Sequence, residues 1–463
     1  MTRSPIGAAL VVNADGPFGA WAVEALANRG GPLLATVAPD ALQARRRLEA
    51  IPGVEILELV SHDEAAWEGL AAQLKARFGG LAVLVSGLAA PGLAGSDLPP
   101  TWLALKHGLG LMPQGEGGVM AVLRRAPRAD DPRCEGDLEA MRVSMAALLH
   151  DAMQLGVRLR ANRLVVDAET GEAAFKSALG LLTDLRGGFM TGAEISLSAG
   201  GPAAQQPQTD LSGKVVLVTG ATSGIGRATA IEIGARGGRV AVGGRKLDLA
   251  QETLELVRAA GGDGMVVRLD VTDEAAWRAA VAEILATQGA LHGLINNAGE
   301  SRNRRIDQLT AAELSFLLSI NYAGALNGMQ AALQPIRASG GGAILNVSSV
   351  AGVRGGPGGT AYSASKAAII GATRSFAASL TGDRRVRVNA IQPGLIWSDS
   401  VADSLGEEGA RAFREMIEPK TPIGRVGQPE EIGRVAAWLM SDAASGVSGQ
   451  AINVSGGLEL GFP

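Results

Sequence analysis

The chain repeats itself at domain length, and this limits its possible folds more than any other feature. VEILELVSHDEAAW at Val54–Trp67 parallels MVVRLDVTDEAAW at Met265–Trp277. LVVNADGPFGAWA at Leu10–Ala22 parallels LVTGATSGIGRATA at Leu217–Ala230, and FMTGAEISLSAGG at Phe189–Gly201 parallels GVSGQAINVSGG at Gly446–Gly457. A repeat this long is a duplicated domain rather than a solenoid unit. Each copy alternates short apolar runs with helical patterns, which is how a parallel sheet wrapped by helices is written in sequence. The expected fold is therefore α/β: two tandem Rossmann-like, doubly wound parallel-sheet domains. Residues 1–201 form the first, 202–209 a polar, proline-bearing linker, and 210–463 the second.

Composition agrees. Of 463 residues, 47% are hydrophobic and 19% charged, which suits a globular chain. A net charge of -4 and a pI near 5.8 argue against a nucleic-acid surface. Cys134 is the only cysteine, so no internal disulfide forms and a reducing, cytoplasmic setting is expected. The N-terminus turns polar too soon for a signal peptide. Leu81–Gly95 is apolar but short and broken by Pro and Gly, so it reads as a buried strand and loop, and no membrane partner is expected.

In the second copy the strands are placed at Lys214–Gly220, Arg239–Gly244, Met265–Asp270, Leu291–Asn297, Ala343–Ser348, Val386–Ile391 and Gln450–Val454. A long helix is expected over Ala311–Ile336 and another from Thr360. A sheet of this kind binds its ligand beyond the carboxyl ends of its strands. There the first strand runs into TGATSGIG, with Gly220, Thr222, Ser223, Gly224, Ile225 and Gly226 opening a helix. Small residues let backbone approach a pyrophosphate at the helix N-terminus. The plain alternative is a tight strand–helix turn. Strand two ends in Gly244, Arg245 and Lys246 rather than an acid. That combination leaves room and charge for a ribose 2′-phosphate, unless the basic pair is merely solvated. Asp270 and Val271 end strand three at the adenine edge. Asn296, Asn297, Ala298 and Gly299 end strand four, and Pro393, Gly394, Ile396 and Ser398 follow strand six, placed for a nicotinamide carboxamide.

The chemistry sits in NVSSVAGVRGGPGGTAYSASK, Asn346–Lys366. Tyr362 and Lys366 are four apart and share one helix face. A neighbouring cation lowers a phenol's pKa and fits Tyr362 for proton transfer. Ser349 is placed to hold the same substrate oxygen. Asn321 lies mid-helix, where Asn is unfavourable, either holding a water near Lys366 or making an ordinary polar contact.

Taken together, T-G-x-x-x-G-I-G, N-N-A-G, the Asn–Ser–Tyr–Lys set and P-G-x-I, in this order over Leu211–Pro463, resemble the short-chain dehydrogenase/reductase family. The tandem layout resembles its high-molecular-weight β-ketoacyl-acyl-carrier-protein reductases. The resemblance implies Tyr362 as general acid/base, Ser349 as its partner on the carbonyl, Lys366 on the nicotinamide ribose, and Asn321 in the proton relay. It implies NADP(H), with NAD(H) as the alternative. The substrate is a 3-oxoacyl thioester on an acyl carrier protein or CoA, with a polyol, steroid or hydroxy acid as the alternative. A non-catalytic scaffold is the reading from another class. Ser398 stands where the family usually has Thr, and Ser455 where it has Asp. The family's tetramers imply a homodimer of this double-length chain, a pseudo-tetramer in which the first domain buttresses the second.

The first copy lacks this equipment. Its turn reads Asn13-Ala14-Asp15-Gly16-Pro17-Phe18-Gly19, and Asp15 repels phosphate. A gapless alignment puts Arg125 at the place of Ser349, Leu138 at Tyr362 and Arg142 at Lys366, and no tyrosine precedes Tyr322. The Ala89–Gly117 interval is shorter than Gly299–Gly341, so the long helix should be trimmed. The first copy is thus expected to be a degenerate pseudo-domain. Arg45-Arg46-Arg47 is its best candidate for a retained site, or else a solvated helix face.

Overall fold

The computed structural model describes residues 7–16, 18–61, 63–87, 98–113, 118–125, 132–167, 169–184, 188–197, 210–302, 304–355, 358–383, 385–398, 406, 408, 409, 411, 412 and 414–460, with side chains for all but 98–100, 102, 125 and 132–142. The chain divides into two compact units, formed mainly by Met1–Ala199 and by Gly200–Pro419 with Arg425–Gly461.

The first unit holds strands β1 (Ala8–Val12), β2 (Leu33–Val37), β3 (Val54–Glu58), β4 (Leu81–Ser86), β5 (Gly118–Arg125), β6 (Leu159–Val166) and β7 (Glu194–Leu197). The second holds β8 (Val215–Thr219), β9 (Arg239–Gly244), β10 (Asp263–Arg268), β11 (Gly293–Asn296), β12 (Gly342–Val347), β13 (Val386–Pro393) and β14 (Ala451–Val454). Both sheets are seven-stranded, ordered β3-β2-β1-β4-β5-β6-β7 and β10-β9-β8-β11-β12-β13-β14. Every pairing is parallel, so the order reverses between β1 and β4 and again between β8 and β11. The registers match: Ala9 opposes Leu33 and Val83, as Val216 opposes Val240 and Gly293. The doubly wound α/β expectation holds in both units.

The same local devices build both. Asp63 and Asp273 cap their helices by accepting from the N–H of Ala65 and Ala275. Gly79 and Gly289 end those helices at φ of 73° and 76°, where a side chain would be strained. The indoles of Trp67 and Trp277 are buried and donate to the carbonyls of Ser61 and Val271. Asn162 donates to Met190 O and accepts from Ala193 N, as Asn389 does with Val447 O and Gln450 N.

Two expectations are adjusted. Strand three ends at Arg268, so Asp270 and Val271 lie in the turn beyond it. The long helix is Ala311–Leu318 and Gly324–Ala338, joined by a single π-turn over Ser319–Ala323. Its first-copy counterpart is Leu98–Leu111, shortened as the interval implied. The linker 202–209 lies outside the described residues. Among the described residues no helix is long and apolar enough to cross a membrane.

Candidate active site

The strand order reverses where β8 pairs with β11, and the Gly220–Gly226 turn leads from β8 into the Gly224–Ala235 helix. Two of its glycines are required by geometry. Gly220 has φ +61°, and a Cβ there would lie 2.8 Å from Ala298 Cα. A Cβ on Gly226 would lie 2.3 Å from Gly220 O. Asn297 braces the turn, its side-chain amide donating to Thr219 O at 3.0 Å and Gly220 O at 3.1 Å. The helix N-terminus thereby faces a cleft of about 430 Å³. The turn residues Gly220 and Thr222–Gly226 line it, with Asp270, Val271, Asn297, Ala298, Gly299, Ile396 and Ser398.

The far wall carries the charge. β9 ends in the cleft at buried Gly244, followed by exposed Arg245 and Lys246. A Cβ on Gly244 would lie 2.9 Å from Thr222 Cγ2, so the strand end and the glycine turn are packed together. No carboxylate occupies the strand end itself. The Asp270 carboxyl is held below its usual range, first by the hydroxyl and N–H of Thr272 and to a smaller degree by the charge of Arg245. An extended cleft with a glycine-lined helix start and a cationic rim fits a dinucleotide diphosphate.

Ser349, Tyr362 and Lys366 lie outside the cleft lining and meet it at Gly299. The Thr360–Ser379 helix carries Tyr362 and Lys366 on one face, and Ser349 follows β12. Ser349 Oγ accepts from Ala351 N at 3.1 Å, and its hydroxyl favours ionisation of the Tyr362 phenol. The phenol pKa is nevertheless raised, because burial outweighs that effect. This corrects the expectation that Lys366 acidifies it. Lys366 Nζ lies 5.7 Å from the Tyr362 ring centroid and donates instead to Val347 O at 2.9 Å. Burial lowers the ammonium pKa to about 8. Gly299 joins this group to the cleft: a Cβ on it would sit 3.0 Å from Asn321 Oδ1 and 3.3 Å from Lys366 Nζ.

Asn321 occupies the π-turn, 1% exposed. Its Oδ1 accepts from Glu300 N at 2.8 Å, and its Nδ2 donates to Glu300 O at 3.0 Å and Ser365 Oγ at 2.9 Å. Ser365 Oγ donates on to Tyr362 O at 2.7 Å. The side chain is thus a brace between the chain beyond β11 and the Thr360–Ser379 helix.

Four expected cofactor residues, Tyr362, Lys366, Pro393 and Gly394, do not line the cleft. Pro393 is paired with Val454 inside β13–β14, and Gly394 packs on the Ser455 backbone, where a Cβ would lie 2.6 Å from its Cα. Ser455 is buried and bonded to Glu459 and to Gly457 N. The sequence reading passed over Leu249, Leu269, Glu300 and Ile320, all of which line the cleft. Only Glu300 had a signal, following N-N-A-G directly. After β13, residues 399–405, 407, 410 and 413 lie outside the described residues. Trp397 N donates to Gly427 O and Gly427 N to Leu395 O, and the Arg414 guanidinium sits 4.0 Å over the Trp397 ring.

In the first unit Asn13 takes the place of Gly220 at φ 53°, a conformation Asn tolerates, so the turn survives without its glycine. Gly19 keeps its packing role, since a Cβ would lie 2.0 Å from Ala14 O. A cleft of about 280 Å³ remains there, with Asp15 and Arg47 in its lining. Arg45 is committed elsewhere, 2.5 Å from Glu58 and 3.4 Å from Glu49. Pro17 and the side chains of Arg125, Leu138 and Arg142 lie outside the described residues.

Known proteins share the second half of this arrangement. Residues 220–459 match the family model described as enoyl-(acyl carrier protein) reductase. A 3-oxoacyl-[acyl-carrier-protein] reductase FabG of Thermotoga maritima is 38% identical over 254 residues, 54% of this chain and 99% of the relative. Levodione reductase of Leifsonia aquatica is 35% identical, over 56% of this chain and 99% of its own. Among solved structures, a short-chain type dehydrogenase/reductase from Mycobacterium marinum is 30% identical with TM-score 0.51, covering 54% of this chain and 97% of that one. A Beutenbergia cavernae protein assigned as an NAD(P)-dependent gluconate 5-dehydrogenase, with NADP bound at low occupancy, is 33% identical with TM-score 0.50, covering 54% and 98%. The chain, about twice as long as these relatives, belongs to the short-chain dehydrogenase/reductase family and is an oxidoreductase acting on CH–OH groups.

Proposed function

We propose that the chain is an NADPH-dependent carbonyl reductase that converts a 3-oxoacyl thioester, on an acyl carrier protein or CoA, to the 3-hydroxyacyl form, a step of fatty acid biosynthesis. The observation that carries the chemistry is the grouping of Ser349, Tyr362 and Lys366, which meets the cleft at Gly299. A nicotinamide dinucleotide bound in the cleft supplies the hydride. Tyr362 gives its proton to the developing alkoxide at the substrate oxygen, and Ser349 holds that oxygen in place. Lys366, whose ammonium donates to Val347 O, meets the nicotinamide ribose. Asn321 fixes Glu300 and, through Ser365, Tyr362, and so completes the relay by position. Of the expected cofactor residues, Pro393 and Gly394 contribute by holding the chain that presents Ile396 and Ser398. Gly244 and Arg245 support NADPH over NADH by leaving room and charge for the 2′-phosphate.

Residues 210–463 are the catalytic domain in this reading, 202–209 a linker and 1–201 a degenerate pseudo-domain. We place the chain in the cytoplasm, which fits a single cysteine. The relatives named FabG support the thioester substrate. The test is turnover by the full chain of acetoacetyl thioesters with NADPH, followed at 340 nm. Turnover confined to cyclic ketones or polyols would favour the second reading, a dehydrogenase of other secondary alcohols, which the levodione reductase and gluconate dehydrogenase relatives support. Failure to bind NADPH at all would favour a scaffold.

A further inference from the structure

Arg227 takes no part in the scheme above, yet it touches both the glycine turn and the helix that follows the basic pair. It stands in the first turn of the Gly224–Ala235 helix. Its Nη2 donates to Thr222 O at 2.7 Å, a carbonyl of the glycine turn. Its Nε donates to Thr253 Oγ1 at 3.1 Å, and Glu252 Oε2 lies 3.5 Å from Nη2. Thr253 is fully buried and itself donates to Leu249 O at 3.1 Å. Thr253, Glu252 and Leu249 all belong to the Leu247–Ala259 helix, whose N-cap is Lys246, next to Arg245. One guanidinium therefore ties the pyrophosphate turn to the helix that presents the basic pair.

We propose that Arg227 is a positioning residue for cofactor choice, fixing the distance between the diphosphate seat at Gly220–Gly226 and the 2′-phosphate seat at Arg245–Lys246. The inference rests on the NADPH reading. A planar guanidinium suits the task because it holds two acceptors in fixed directions, which an ammonium does not. NADPH is anchored at both seats and needs their spacing kept. NADH is anchored only at the first, so it tolerates loss of the tie. The contact at Thr222 O also orients the residue whose methyl lies over Gly244, where a Cβ would come within 2.9 Å.

The experiment is fluorescence titration of the full chain with NADPH and NADH, on wild type, Arg227→Met, Thr253→Val and Arg245→Ala, with thermal melting as the check on folding. Thr253→Val cuts the same tie from the other helix. Each cut should raise Kd for NADPH about tenfold and for NADH less than about threefold, the scale of one lost charge-assisted hydrogen bond acting indirectly. In the Arg245→Ala background Arg227→Met should affect the two cofactors alike, because the second seat is already lost. Equal weakening of both cofactors in the single variants means a merely structural role and overturns the inference, as does an unchanged preference. Equal wild-type affinities overturn the NADPH reading itself, an outcome read before any variant is made.

Discussion

Tyr362 and Lys366 show at the scale of single residues what a catalytic site requires of the fold. Sequence spacing put them on one helix face, as the structure does, while Ser349 as their partner came from the family resemblance. Spacing carries no information on burial, which is why the direction of the Tyr362 shift was misjudged. Tyr362→Phe removes one hydroxyl from the site and leaves the cleft intact. Turnover should fall by about 10²–10⁴-fold with NADPH affinity unchanged, measured by steady-state rates and titration. Lys366 makes a stability prediction of unusual sign. Its ammonium pKa falls from 10.5 to about 8 on folding, a gap worth roughly 3 kcal/mol against the folded state. Below pH 8 both states are protonated and the full penalty applies. Between about 8 and 10.5 the unfolded chain holds the extra proton, so wild-type stability rises with pH. Lys366→Met removes the charge, while Val347 O loses its donor at about 1 kcal/mol. The inactive variant should therefore be about 2 kcal/mol more stable at pH 7, and its advantage should shrink toward pH 10. Denaturant melts of the cofactor-free chain at both pH values measure this, and a variant less stable at pH 7 contradicts it.

Secondary elements were legible where a period or a repeat spelled them out. The D-E-A-A-W segments gave the duplication, and the glycine turn gave the start of the cleft; that each segment also caps a helix and latches a tryptophan is seen only in the structure. The π-turn was not legible, because no residue type or motif marks where an extra residue enters a helical turn. Its one trace was Asn321, an unfavourable residue in mid-helix. Arg227 was hidden for a related reason: its partners, Thr222 and Thr253, are joined only by tertiary packing. The duplicated asparagines, equally silent in sequence, fix the last strands. Asn162 and Asn389 each satisfy two buried backbone groups, and both are 1% exposed or less. Replacing either by Ala orphans a carbonyl and an N–H, so each variant should lose about 2–4 kcal/mol by denaturant unfolding. Asn389→Ala should also weaken activity, since β13 leads into the Ile396–Ser398 wall. Asn162→Ala should leave kcat near wild type. Full stability of both variants would show that the clamps carry nothing.

The whole molecule holds the same plan twice, and what each unit has kept separates fold from function. Sheet order, register, helix caps, tryptophan latches and asparagine clamps are present in both. What differs is the ligand equipment. Asn13 replaces a cradle glycine while holding its backbone angle, Asp15 brings negative charge to the phosphate side, and no tyrosine precedes Tyr322. A carboxylate facing a diphosphate is repulsive, and a cleft of about 280 Å³ is smaller than the 430 Å³ of the second unit. The full chain should therefore bind one dinucleotide, not two. The short-chain family's tetramers are built from single domains, and closed symmetry with four domains requires only two of these chains. The expected assembly is a homodimer of the 47.2 kDa chain, a pseudo-tetramer of domains with two cofactors. Light scattering should return about twice the chain mass, and calorimetric titration with NADPH should saturate at one equivalent per chain. Two equivalents per chain would show that the first unit kept a dinucleotide site, and a monomer by scattering would show that its fold was not retained for assembly.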